Sequence, residues 1–364
     1  MPMIEQPKSA PVRLRTHHVF LDTQVYRKLG HNPAAPPLVA LKELLSSGRL
    51  VLHITDVIFQ EVERQLHDFV GETTSALKGA KRHLGRWVQR YPKLVTTLPE
   101  FDQAAISMAA FRDFSSFIRS VRAIEHGIDT VPPSIVFERY FKREPPFHKL
   151  GSKEFPDAFN IAMLEAWCDS MKETIYVVGA DKAVCQAVDQ SEHLLAMNSL
   201  EDLLASVAAM DEPQLVAEAR TIFTSSPVQA QLEAAIEAQI GDLIPIYVGG
   251  DLPEGEVIEH QLDGEISIGE FKVLATSATG LRVVVPVNIP LVVDVSYEDR
   301  SDAIYDSEDG KYLFAESATK EIRADPTIRF FARVFRDPSS KDVVVEAQPV
   351  NVLFRVNDEF ENYK

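Results

Sequence analysis

The chain has 364 residues, of which 45% are hydrophobic and 25% charged, and this composition is typical of a globular protein long enough for two domains. No apolar run reaches the ~18 residues that a membrane-spanning helix needs, and the first residues lack the apolar core of a signal peptide. Cys168 and Cys185 have neither metal-binding nor redox spacing, so we expect a protein of the reducing cytoplasm with no membrane partner.

The first half of the chain alternates short apolar runs with helical patterns. The apolar runs predict strands over residues 17–21, 49–54, 175–178 and 194–197. The helical patterns cover residues 36–46, 55–69, 73–90, 102–123, 133–142, a segment that begins near 156, and 200–207. This alternation predicts an α/β domain over residues 1–208, with a mainly parallel central sheet and helices on both faces.

The pattern changes in the second half of the chain. Residues 209–244 are helical in character and are predicted to form a connector. Between 245 and 364 the hydrophobic period becomes two, as in Val293, Val295 and Tyr297, and turn signals separate the runs. We therefore predict an antiparallel, sandwich-like all-β domain over residues 245–364.

The net charge of −17 is concentrated in the second half. Residues 1–208 contain 24 Lys and Arg against 25 Asp and Glu, whereas residues 209–364 contain 13 against 29. The first domain is thus nearly neutral and has positive charge to offer an acidic partner such as nucleic acid. For the acidic β domain we expect a protein partner, a second copy of the chain, a sensed ligand, mimicry of nucleic acid over a basic groove, or a stabilising role alone.

Four carboxylates at or near the ends of apolar runs are the candidate site. They are Asp22, Glu61, Asp157 and Asp181. Sites in open α/β sheets form beyond the carboxyl ends of the strands, and carboxylates that converge there repel one another unless a cation lies among them. Oxygen ligands suit Mg²⁺ or Mn²⁺, which support phosphodiester hydrolysis by lowering the pKa of a bound water. Thr23 and Asn160 are placed to orient this site from behind the acids.

Each acid also has a purely structural interpretation. Asp22 and Asp181 can cap the helices that follow their strands. Asp157 can complement a helix N-terminus, and Glu61 can be a solvated helix residue paired with Arg64 or Gln65.

In their order and spacing, the four acidic motifs resemble those of PIN-domain nucleases. The segments that carry the resemblance are 20–23, the helix with Glu61, 157–158 and 178–182, and the run 153–158 is similar to a bacterial PIN-like subgroup with an added C-terminal region. The resemblance covers about residues 17–208. It implies a three-layer fold and a Mg²⁺- or Mn²⁺-dependent nuclease, most often acting on RNA, with the four acids as catalytic and metal-binding residues. One difference is Ala183, where many members carry a further acid.

Two basic segments are predicted to bind the phosphates of a single-stranded or frayed nucleic acid. The first contains Lys78, Lys81, Arg82, Arg86, Arg90 and Lys93, with Trp87 and Tyr91 among them. The second contains Arg139, Lys142, Arg143, Lys149 and Lys153. The alternative for the first segment is a solvated helix face with Trp87 in the core.

Several other enzyme classes are excluded by missing motifs. The sequence has no phosphate-binding loop with Lys-Ser/Thr, no GxGxxG, no HExxH and no GxSxG, and Gln24 stands where an aspartate-nucleophile phosphatase needs an acid. The competing hypothesis is a catalytically silent PIN-like scaffold that binds protein partners through its β domain in a regulatory or defence assembly.

Overall fold

The computed structural model describes residues 14–91, 100–149, 151, 153–211, 213–277, 280–301, 303–306, 311–313, 315–336 and 343–357. The chain divides into two compact units, Met1–Ser206 and Val207–Lys364. Within the described ranges, no helix is both long enough and apolar enough to cross a membrane.

The N-terminal unit is built from alternating strands and helices. Its strands are β1 (His18–Leu21), β2 (Val51–Thr55), β3 (Ile124–His126), β4 (Ile175–Val178) and β5 (Leu194–Met197). Its helices are α1 (Thr23–Lys28), α2 (Pro36–Ser46), α3 (Asp56–Arg90), α4 (Gln103–Ser120), α5 (Pro133–Lys142), α6 (Phe155–Met171), α7 (Lys182–Gln190) and α8 (Leu200–Asp211), the last of which runs past the unit boundary.

The strands form one parallel sheet in the order β3-β2-β1-β4-β5. Every residue of β1 and β4 is buried, as expected of central strands that are covered on both faces. The predicted parallel α/β architecture is confirmed. The sequence did not predict β3, because it is only three residues long and buries only its last residue, His126.

The order of the strands creates a switch point at β1. The chain passes from β1 to β2 on one side, and later returns to β4 on the other side of β1. Gly179, at the end of β4, has φ +74°, and an added Cβ would lie 2.4 Å from Cγ2 of Val25 in α1. Glycine therefore lets the loop after β4 pack closely against α1 at this switch point.

The helical patterns at 55–69 and 73–90 belong to one helix, α3, which has 35 residues. The hydroxyl of Thr55 caps it by accepting a hydrogen bond from the Ile58 amide at 3.1 Å. At 1.5 Å per residue this helix is about 50 Å long. Its first turns lie at the sheet edge and its last turns extend far from it.

The C-terminal unit begins with helices and continues as β structure. Its helices are α9 (Pro213–Phe223) and α10 (Ser226–Glu237). Its strands are β6 (Ile244–Tyr247), β7 (Glu256–Leu262), β8 (Ser267–Ile268), β9 (Lys272–Ser277), β10 (Gly280–Asn288), β11 (Leu291–Asp299), β12 (Ile304–Asp306), β13 (Lys311–Leu313), β14 (Glu316–Ala324), β15 (Thr327–Arg336), β16 (Val343–Pro349) and β17 (Leu353–Val356).

Two antiparallel sheets dominate this unit. One contains β16, β15 and β10, with β8 and β9 pairing to β10, and the other has the order β14-β11-β7. Alternate residues of both sheets, such as Val285 and Val293, join a single buried cluster, so the predicted antiparallel β architecture is confirmed. One pair, β6 with β17, is parallel. The predicted turns near 278–279, 309–310 and 337–340 lie outside the described residues.

The helices before the β strands contribute to the same core. Phe223 of α9 and Leu232 and Ile236 of α10 are fully buried in the cluster that contains Val285 and Val293. The predicted domain boundaries at 208 and 244 stay predictions.

Candidate active site

Two of the candidate acids lie side by side at the carboxyl edge of the sheet. Asp22 directly follows β1, and Asp181 follows β4, its hydrogen-bonded neighbour. The Asp22 amide donates a hydrogen bond of 3.1 Å to the carbonyl oxygen of Val178, which extends the pairing of the two strands to the acid itself. The switch point of the sheet therefore brings together two carboxylates that are far apart in the sequence.

Both acids also cap helices, as their structural interpretation predicted. Oδ1 of Asp22 accepts a hydrogen bond from the Gln24 amide at 2.8 Å. Oδ1 of Asp181 accepts from the amides of Ala183 and Val184, each at 2.9 Å. Because each cap uses Oδ1, the other carboxylate oxygen of the same side chain is available for a ligand. Capping fixes the position of both side chains without excluding a role in the site.

Glu61 comes from the second turn of α3 and is held by Thr23. The Thr23 hydroxyl, which is buried, donates a hydrogen bond of 3.0 Å to Oε2 of Glu61. Since Thr23 directly follows Asp22, this bond ties α3 to the end of β1. The orienting role predicted for Thr23 stays a prediction.

Asp157 and Asn160 approach the same edge from α6. The Thr55 hydroxyl at the end of β2 donates a hydrogen bond of 2.6 Å to Oδ1 of Asn160, and both side chains are buried. This bond fixes the beginning of α6 against the end of β2. Asp157 lies in the first turn of α6, three residues before Asn160, which is slightly less than one helical turn.

The acids influence one another electrostatically. The pKa of Asp157 is raised to about 7, first by burial and then by the charges of Asp22, Glu61, Asp181 and Glu154, in that order. The pKa of Asp22 is raised to about 6, mainly by burial; the hydrogen bond from the Gln24 amide lowers it in part, and the charges of Asp181 and Glu61 raise it. Without a cation, ionising all of these groups together near neutral pH is therefore unfavourable.

Glu154 lies beside these acids and was not among the site residues predicted from the sequence. Its Oε2 is buried and has no hydrogen-bond partner among the described residues, and its charge contributes to the raised pKa of Asp157. Glu154 could have been predicted from its position three residues before Asp157, because this spacing brings the two residues close together at the start of α6.

The chemistry of these donors fits a hard divalent cation. The set consists of carboxylate oxygens, one of them the unpartnered Oε2 of Glu154, and a cation would relieve their mutual repulsion. In the described part of the chain, no three His, Cys, Asp or Glu side chains are close enough together to enclose an ion as they stand. Mg²⁺ needs only about one or two protein carboxylates, since waters and phosphate oxygens complete its octahedral shell.

Comparison with known protein families gives a match to the PIN domain over residues 19–183. The N-terminal unit is a PIN domain. The resemblance noted from the sequence is thereby confirmed, and the matched residues include Asp22, Glu61, Asp157 and Asp181. Neither the curated proteins nor the solved structures contain a significant match to the chain. Membership of this family indicates a nuclease-type function in general.

The first basic segment of the PIN domain forms the second half of α3. Lys78, Lys81, Arg82 and Arg90 are exposed, whereas the side chain of Arg86 and all of Lys93 lie outside the described part. Along the helix axis, Lys78 is about 25 Å from Glu61 at 1.5 Å per residue.

The aromatic residues of this segment are solvent-accessible. Trp87 is 51% exposed and Tyr91 41% exposed, and their rings stack with centroids 6.4 Å apart. The alternative that placed Trp87 in the core is therefore wrong, because this end of α3 extends beyond the buried part of the unit.

The second basic segment is only partly available for a ligand. Arg139 forms an ion pair with Glu165, and Lys142 pairs with Glu138. Arg143, Lys149 and Lys153 are exposed, and the described residues provide no ion-pair partner for them. The residues available for phosphate are thus those nearest to the start of α6.

The PIN domain also contains a buried chain of histidines that the sequence reasoning did not select. Nδ1 of His18 lies 2.8 Å from Nε2 of His53, and Nδ1 of His53 lies 2.8 Å from Nε2 of His126. Trp167 of α6 packs against all three rings. Burial lowers the pKa of each histidine, that of His53 to about 3, so the rings are neutral and join β1, β2 and β3 on the face covered by α6.

Proposed function

We propose that this chain is a Mg²⁺- or Mn²⁺-dependent nuclease that hydrolyses phosphodiester bonds, with RNA as its principal substrate. The observation that carries the proposal is the meeting of Asp22, Glu61, Asp157 and Asp181 at the carboxyl edge of a PIN-domain sheet, close enough that three of them raise the pKa of the fourth. A cluster of carboxylates whose charges repel one another unless a cation is bound is typical of a functional site.

The roles of the acids follow from their surroundings. Asp22 and Asp157, the two carboxyl groups with clearly raised pKa values, are the central metal-binding residues. Glu61, oriented by Thr23, completes the set on one side, and Asp181, which is exposed and engaged as a helix cap, completes it on the other. When bound, Mg²⁺ or Mn²⁺ supplies the positive charge that lowers the pKa of water and neutralises the phosphate.

Glu154 extends this acidic set. Its buried, unpartnered oxygen lies in the same helical turn as Asp157, where it can accept a hydrogen bond from a metal-coordinated water or bind the ion directly. Asn160 has a positioning role, because its bond to Thr55 holds the first turn of α6 against the sheet.

The basic residues of the two segments support a nucleic-acid substrate. Lys78, Lys81, Arg82, Arg86 and Arg90 of α3, together with Arg143 and Lys149 beside α6, are proposed to contact phosphates. The helix that carries Glu61 therefore also carries the larger basic segment, so that phosphate binding on α3 orients the substrate relative to the site. The acidic C-terminal unit is proposed to bind a protein partner or a second copy of the chain rather than the substrate.

The test is a cleavage assay with end-labelled single-stranded RNA and single-stranded DNA of the same sequence, in Mg²⁺, Mn²⁺ or EDTA. We expect cleavage with either metal, faster cleavage of RNA, and none in EDTA. The Asp22→Asn variant should lose the activity, and Asp113→Asn, a substitution at an exposed acid of α4, should keep it. Hydrolysis by water leaves no 2′,3′-cyclic phosphate ends.

Three outcomes would contradict the proposal. Activity that survives Asp22→Asn would come from a contaminant, and cyclic phosphate ends would indicate attack by the ribose hydroxyl instead of water. Absence of cleavage with every substrate and metal would favour the silent scaffold.

A further inference from the structure

Aromatic side chains form a continuous cluster between α5 and the first turn of α6. The ring of Phe155 lies 4.9 Å from the rings of Tyr140 and Phe147 and 5.4 Å from that of Phe137, between centroids. Phe147 is fully buried, and Phe141 stacks on Phe137 with centroids 6.3 Å apart. The cluster thus runs from the core outwards to the solvent.

The outer end of this cluster is unusually exposed. Phe141 is 70% exposed and Phe137 is 46% exposed, although both belong to a helix whose Val136 is fully buried. Rings that serve only the core do not remain this accessible, since burying a phenylalanine side chain is worth about 1.5–3 kcal/mol. These two rings therefore present apolar faces to a ligand.

The cluster is attached directly to the candidate active site. Phe155 is the first residue of α6. It directly follows Glu154 and lies in the same helical turn as Asp157. Val136 of α5 and Ala158 and Ala162 of α6 pack in one buried cluster, which fixes α5 relative to that turn. A ligand held on the outer rings would accordingly lie beside the acids.

The charges around the rings indicate the ligand. Residues 133–153 contain five Lys and Arg against two Glu. Arg143 is exposed two residues after Phe141, and Lys149 and Lys153 are exposed on either side of Gly151, whose amide donates a hydrogen bond of 2.7 Å to the Tyr140 hydroxyl. A flat apolar surface bordered by cations suits a partner with both phosphates and accessible flat rings. Bases paired in a duplex offer only their edges, so the matching partner is a single strand.

We propose that Phe137 and Phe141 form a stacking platform for an unpaired base of a single-stranded nucleic acid beside the active site. This inference rests on the proposed nuclease function and specifies its substrate as one with an unpaired base next to the scissile phosphate. The platform selects single-stranded segments over duplexes, and Arg143, Lys149 and Lys153 bind the adjoining phosphates.

The test measures binding separately from cleavage. Fluorescence anisotropy in metal-free buffer would compare three labelled probes of equal length: a single-stranded RNA, the same strand in a duplex, and a strand with abasic residues. We expect Phe137→Leu/Phe141→Leu to weaken binding of the single-stranded RNA about tenfold, because a stacked base is lost. Binding of the abasic strand, which keeps its phosphates, should stay the same. Tyr305→Leu, which removes a ring that is 56% exposed in the other unit, is the matched control.

The possible outcomes separate this proposal from the nuclease function. The platform would be overturned if the double variant bound the single-stranded RNA, and also the abasic strand, as tightly as the parent chain does. Cleavage by the parent would still support the nuclease in that case. Base-dependent binding that the variant loses, without cleavage under any condition, would support the platform and contradict the nuclease. If sedimentation shows that the parent chain self-associates and that Phe137→Leu/Phe141→Leu does not, the surface is a protein interface and the platform is wrong.

Discussion

Replacing Asp157 by asparagine should stabilise the metal-free protein. In the folded chain the pKa of this carboxyl group is raised from 3.8 to about 7, first by burial and then by the neighbouring acids. At a pH above the raised pKa, the folded state must ionise a group that ionises more easily in the unfolded chain. Each pKa unit corresponds to about 1.4 kcal/mol, so the carboxylate destabilises the folded state by roughly 4 kcal/mol under these conditions. Asparagine keeps the shape of the side chain and removes the charge.

The assay is urea unfolding in EDTA, with circular dichroism as the readout. We expect the free energy of unfolding of Asp157→Asn to exceed that of the parent by about 2–4 kcal/mol near pH 8. The sign of the pH dependence is fixed, since the folded parent binds more protons than the unfolded chain between the two pKa values. The advantage of the variant should therefore shrink to about half near pH 5.5. Asp113→Asn is the control at an exposed acid and should change little. A variant no more stable than the parent near pH 8, or an advantage that does not depend on pH, would show that the charge of Asp157 does not destabilise the folded state.

Three further predictions address the surroundings of the acids. Thr23→Val removes the 3.0 Å hydrogen bond to Glu61. It should weaken Mn²⁺ binding about tenfold in calorimetric titration and lower the free energy of unfolding by only about 1 kcal/mol. Lys78→Glu/Arg82→Glu should weaken RNA binding and reduce the slope of log affinity against log salt by about 0.7 per lost phosphate contact, whereas Lys42→Glu on α2 should leave both unchanged. Burial lowers the pKa of His53 to about 3 from 6.5, so the unfolded chain takes up the proton first and acid destabilises the fold. Between about pH 6.5 and 5.5 the parent should lose about 1 kcal/mol more than His53→Gln, and equal losses would show that this histidine is accessible to protons in the folded state.

The parallel sheet, and the position of Asp22 and Asp181 at its carboxyl edge, were predictable from the sequence. The apolar residues of β1 and β4 are followed by Asp22 and Asp181, and parallel strands place their carboxyl ends at one edge. Local patterns suffice here, because the position of each acid depends only on the strand or helix that precedes it.

The histidine chain could not be predicted in the same way. His18, His53 and His126 come from three strands, and their contacts depend on the register that pairs Phe20 with His53 and Thr55 with His126. A register is a property of the assembled sheet, and β3 itself is too short to give a pattern.

The aromatic platform could not be predicted from the sequence for a different reason. Phe137 and Phe141 recur at helical spacing, which usually indicates a buried face. Only the packing of α5 on α6 shows that this spacing leaves them exposed, with Val136 buried instead.

The acids at the edge of the PIN-domain sheet are proposed to bind a divalent cation, and a Mn²⁺ titration followed by electron paramagnetic resonance of the free ion measures that binding. We predict that the parent chain and Asp113→Asn bind Mn²⁺ alike, whereas Asp22→Asn and Asp157→Asn each lose affinity by at least about tenfold. If both variants bind Mn²⁺ as tightly as the parent chain, these carboxylates are not its ligands and the proposed metal site is wrong.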